Sequence, residues 1–91
     1  MSNPPGDRGE GEIADYTAAI ELPGAPVGQV ALALYNRGVA KGERGDSEGA
    51  IADYTAVIEL PGAQPEIVET AHQSRKILKG STDPDDGENL T

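Results

Sequence analysis

The chain has 91 residues, no cysteine, one histidine, and sixteen acidic against seven basic side chains, for a formal net charge of −9. A chain of this length holds one small domain at most. Its charge has the wrong sign for nucleic-acid phosphate or an anionic membrane, so neither is an expected partner, and it has no disulfide framework, thiolate metal site or thiol nucleophile.

The opening stretch MSNPPGDRG and the closing stretch GSTDPDDGENLT are rich in Gly, Pro, Asp and Ser and almost free of large apolar residues. Neither can offset its ordering entropy, so residues 1–8 and 80–91 are expected to be disordered around a folded unit at 9–79. The longest apolar stretch, Val30 to Tyr35, is far short of the roughly 20 residues that span a bilayer. The N-terminal residues lack the apolar run of a signal peptide, and the chain is expected to be cytoplasmic.

Between the ends, residues 13–25, IADYTAAIELPGA, recur at 51–63 with one substitution, Ala19 against Val57. The offset of 38 residues is a spacing of stacked supersecondary units. The first copy sets Ile13, Tyr16 and Ile20 on one helical stripe and ends at Pro23-Gly24. A second kind of helix follows over roughly Val27 to Arg44, with two apolar stripes, one of Val30, Leu34 and Gly38 and the other of Leu32, Tyr35 and Val39. In the second copy Ala50, Ile51, Tyr54, Val57 and Ile58 form the stripe; Asp46 or Ser47 caps the start and Pro61-Gly62 ends it. The last helix, Pro65 to Lys79, is the most polar, with a thin stripe of Ile67, Val68, Ala71 and Leu78. Four helices of alternating type, in the order B-A-B-A, are therefore expected.

The segment ALYNRGVAKGERGDSEGAIADYTAVIELPG resembles the tetratricopeptide repeat. Gly38 matches the small residue of its first helix, Ala50 and Tyr54 its small-x-x-x-aromatic pair, and Pro61 its terminator. The sequence departs from the pattern in having Leu34 where the family often has Trp, Arg37 and Lys41 where it prefers Leu and Tyr, and a repeat four residues longer. An extra helical turn begun near Pro26 or Pro65 absorbs those residues. The resemblance implies an all-α fold of antiparallel helix-turn-helix repeats, stacked as a short right-handed α-solenoid. It also implies that Gly38, Ala50, Tyr16 and Tyr54 pack between helices. Glu12 and Lys76 stand where the complete repeat has Ala50 and Gly38, as polar ends of a stack should.

Catalysis lacks its usual parts, so a non-enzymatic role is expected, with no cofactor and no bound metal. His72, the one histidine, falls on the polar last helix and is expected to be solvated. The tail DPDDGEN does not follow the ligand spacing of an EF-hand loop. By resemblance, the A helices line a concave face that binds a peptide or protein. Leu32, Tyr35, Asn36 and Val39 fall on that face, the Leu32/Tyr35/Val39 stripe being either a groove floor or packing against the next A helix. Asn36 matches an Asn with which clamp-type members hold a peptide carboxylate, but Val39 and Thr70 leave the other clamp positions unfilled. Arg37 and Arg75, one repeat apart, are expected side by side, where a carboxylate can bridge them. The alternative is a homo-oligomer built by head-to-tail stacking.

Overall fold

The structure is a computed structural model that describes residues 7–80, with side chains from Gly11 onward. It is all-helical over that range: α1 spans Asp7–Glu21, α2 Val27–Glu43, α3 Ser47–Glu59 and α4 Pro65–Lys79. α1 begins inside the segment expected to be disordered, while residues 1–6 and 81–91, with the tail considered for calcium, lie outside the described residues.

Each boundary has a local cause. The Asp46 carboxylate accepts the Gly49 backbone N–H at 2.9 Å and caps α3, an interaction worth about 1 kcal/mol. Pro26 immediately precedes α2 and Pro65 opens α4, where a missing N–H leaves no helical bond unmade. The twin segments end in twin turns. Ala25 N–H donates to the Leu22 carbonyl and Ala63 N–H to the Leu60 carbonyl, each at 3.2 Å. The glycine third in each turn has a φ of 79° (Gly24) or 86° (Gly62), the left-handed value that a type II turn with proline second requires.

Short turns make successive helices antiparallel neighbours. Along the α2–α3 seam Gly38 lies against Tyr54 and Gly42 against Ala50, so one index rises as the other falls. α2 packs against the other three helices, α3 against α2 and α4, and α1 against α2 alone. This is the neighbour pattern of a helical-repeat arrangement. The core gathers Leu34, Ala50, Tyr54, Val57 and Ala71, with Ala31, Ala33 and Ala40 also buried. Most of these are alanines, so the helices approach closely and the apolar volume rests on few side chains.

The near-identical segments end up in different surroundings. Ala50, Asp53, Tyr54 and Val57 are buried in α3, whereas at the same repeat positions of α1 Glu12, Asp15 and Ala19 are exposed and Tyr16 is half-buried. In the chain α2 covers that face of α3, and no described helix covers it on α1. Tyr16 therefore does not take the enclosed packing position that Tyr54 takes.

Candidate functional site

The densest polar constellation lies on the α2–α3 seam. Asp53 shares the helical arc of Ala50, Tyr54 and Val57 and is only 4% exposed. A carboxylate drawn into an apolar seam needs cations and donors around it. α2 supplies them from Arg37 and Lys41, one helical turn apart. Arg37 Nε donates to Oδ2 at 2.9 Å and Nη2 to Oδ1 at 2.8 Å, while Lys41 Nζ lies 3.4 Å from Oδ2. Arg37 Nη1 donates to Thr17 Oγ1 on α1 at 3.0 Å, and the Thr17 hydroxyl donates in turn to the Ile13 carbonyl at 2.8 Å. One guanidinium thus joins three helices. The hydrogen bond to Asp53 raises the Arg37 pKa above its ordinary value, with burial acting the other way.

This geometry corrects the expectation for Arg37. Each of its three guanidinium nitrogens is engaged inside the fold, so it does not present a free charge to a partner, and among the described residues no carboxylate bridges it to Arg75. Arg75 repeats half of the arrangement: its Nη1 donates to Thr55 Oγ1 at 3.0 Å, the Arg37–Thr17 bond translated by one repeat. Among the described residues no carboxylate forms an ion pair with Arg75. The sequence reading missed Asp53. The signal was an acid inside the apolar arc of α3, facing two cations one turn apart on α2.

Gly38 behaves as its position implies. A Cβ there would lie 2.7 Å from Tyr54 Cε1, closer than real contacts allow, so the Tyr54 ring occupies the place of the missing side chain. Ala50 is fully buried beside Gly42. Burial pushes the Tyr54 phenol pKa up, helped by the neighbouring Tyr35 and opposed by hydrogen bonding to Ser74.

The second stripe of α2 divides between core and surface. Tyr35 and Val39 are half-buried and pack on the core, with the Tyr35 ring centroid 5.5 Å from that of Tyr54. Both are packing residues rather than a free groove floor. Leu32 is 49% exposed, and Asn36 is half-buried on the same helix. Across on α4, Ser74 Oγ meets the Tyr35 hydroxyl at 3.4 Å and Ile77 is 76% exposed. Leu32 lies three residues before Tyr35 and Ile77 three residues after Ser74, so each is a helical neighbour of the contact that joins α2 to α4. The shared face carries an exposed aliphatic group on either side of a polar bridge.

His72 is exposed on α4. Among the described residues no three His, Asp or Glu side chains are grouped to hold a metal ion, and no helix is long and apolar enough to cross a membrane. The chain matches no protein-family model, no curated protein and no solved structure in the comparisons made.

Proposed function

We propose that the chain is a non-enzymatic interaction module of the tetratricopeptide-like kind, which takes a peptide or protein segment on the face shared by α2 and α4. The observation that carries this reading is the exposure of Ile77 and Leu32, at 76% and 49%, on either side of the Tyr35–Ser74 bridge. Two aliphatic side chains held on rigid helices gain by burial against an apolar anchor of a ligand. The half-buried Asn36 stands beside Tyr35 with an amide that suits a peptide backbone. The reading includes a cytoplasmic location, supported by a composition without cysteine, which needs no oxidising compartment.

A displayed peptide library tests it. The native chain should enrich peptides with an apolar anchor, and Ile77→Asp or Leu32→Asp should lose them. Both sites are exposed, so urea unfolding should move by no more than about 0.5 kcal/mol. Tyr35→Asp is expected to unfold the chain instead, because Tyr35 packs on the core. Equal enrichment by native chain and Ile77→Asp overturns the proposal.

A further inference from the structure

We propose that copies of the chain dock end to end, α4 of one against α1 of the next, with Arg75 and Lys79 receiving Asp15 of the neighbouring copy. The surface lies at the ends of the helix stack, and the inference does not depend on the α2–α4 face binding a ligand.

It comes from an ion cluster that the chain completes once and begins twice more. Within the chain, Arg37 and Lys41 on α2 enclose Asp53 on α3, and Arg37 also binds Thr17. One repeat later, Arg75 and Lys79 occupy the same two positions on α4, and Arg75 makes the equivalent bond to Thr55. That bond uses Nη1, as in Arg37, and among the described residues nothing occupies the Nε and Nη2 donors with which Arg37 grips its carboxylate. One repeat earlier than Asp53 stands Asp15, exposed and with no ion-pair partner among the described residues. The cation half of the cluster is therefore open at one end of the stack and the anion half at the other. Asp15 also belongs to the same tetrapeptide as Asp53, ADYT at 14–17 and at 52–55, so a second copy offers its carboxylate in the register that α2 already accepts. Open complementary halves at opposite ends make a heterologous contact, which propagates as chains.

The contact is looser than the α2–α3 seam. Lys76 stands where Gly38 lets Tyr54 approach, and Glu12 where Ala50 is buried. A lysine there holds the incoming helix away, so charge rather than apolar burial carries the association. It should be reversible and screened by salt.

Sedimentation of the full chain over rising concentration, at low salt and at about 0.5 M salt, provides the test. The native chain should gain mass with concentration at low salt and return to monomer at high salt. Asp15→Arg, and separately Arg75→Glu combined with Lys79→Glu, should each weaken association at least about ten-fold. An equimolar mixture of these two variants should recover it, because the reversed end of one then meets the reversed end of the other. Lys79→Glu alone, at an exposed site whose side chain makes no hydrogen bond or ion pair among the described residues, should also weaken association if the loss of the Thr55 bond unfolds the double variant. A native chain that stays monomeric at low salt overturns the proposal, as does association indifferent to Asp15→Arg or a mixture without recovery. So does a monomer that associates only after residues 81–91 are removed, an outcome that assigns Arg75 to the chain's own acidic tail.

Discussion

Gly38 and Gly42 sit one turn apart on α2 and face the same partner helix, yet they differ in what a methyl group would meet. At Gly38 it would strike the buried Tyr54 ring at 2.7 Å, whereas at Gly42 it would touch Ala50 Cβ at 3.8 Å, an ordinary contact. Alanine in place of glycine improves helix propensity by up to about 1 kcal/mol, while overpacking a closed seam costs about 1–3 kcal/mol. Gly42→Ala should therefore stabilise the chain, and Gly38→Ala should lower its unfolding free energy in urea by a net of up to about 2 kcal/mol. Equal stabilisation by both would show that the seam yields at Gly38. The need for a small residue at position 38 was legible in the sequence through the repeat pattern. The burial of Asp53 was not, since the same tetrapeptide leaves Asp15 exposed on α1 and only the covering helix differs. The fate of Arg37 was not either, because its direction is set by Asp53 and Thr17, sixteen and twenty residues away.

Among the helices, α1 and α3 make the sharpest comparison. Their common residues share propensity, stripe and terminating turn, and both form helices. α3 lies between α2 and α4, whereas α1, among the described helices, contacts only α2. Helices with fewer packed neighbours open at lower free energy. In a dilute sample at high salt, where copies are kept apart, the amides around Tyr16 should exchange with solvent at least about ten-fold faster than those around Tyr54. Equal protection would contradict the packing described for α1. The helix boundaries followed from short-range rules: Asp46 capping α3, Pro65 opening α4, and Pro-Gly turning the chain after both copies. The start of α1 at Asp7 did not follow from composition, since the segment before Ile13 has almost no apolar residue to mark a helical stripe.

For the molecule as a whole, the core is small and leans on Leu34, Tyr54 and Val57, so one titrating group within it affects global stability. Tyr54 has its phenol pKa raised above the ordinary 10.0, chiefly by burial. The folded state thus holds that proton more tightly than the unfolded state. The contribution is complete below about pH 10 and is lost as pH rises from there through the folded pKa. Denaturation across alkaline pH should show the native chain losing stability relative to Tyr54→Phe above about pH 10, with the two parallel below it. Parallel curves throughout would mean that the phenol is hydrated. At neutral pH the net charge of −9 opposes close association of copies, while the separation of cations at the α4 end from acids at the α1 end favours one orientation over others.

By itself the sequence determined that the chain is helical, that its helices alternate in type at a 38-residue period, and where Pro, Gly or Asp mark at least one boundary of each. These properties depend on residues a few positions apart, and local sterics and hydrogen bonding suffice for them. Only the tertiary structure decided that Asp15 faces water while Asp53 is enclosed, that Arg37 turns inward, and that Tyr35 and Val39 pack while Leu32 and Ile77 stay exposed. Burial is a property of neighbours, and among the described residues the same tetrapeptide meets a covering helix in one place and none in the other.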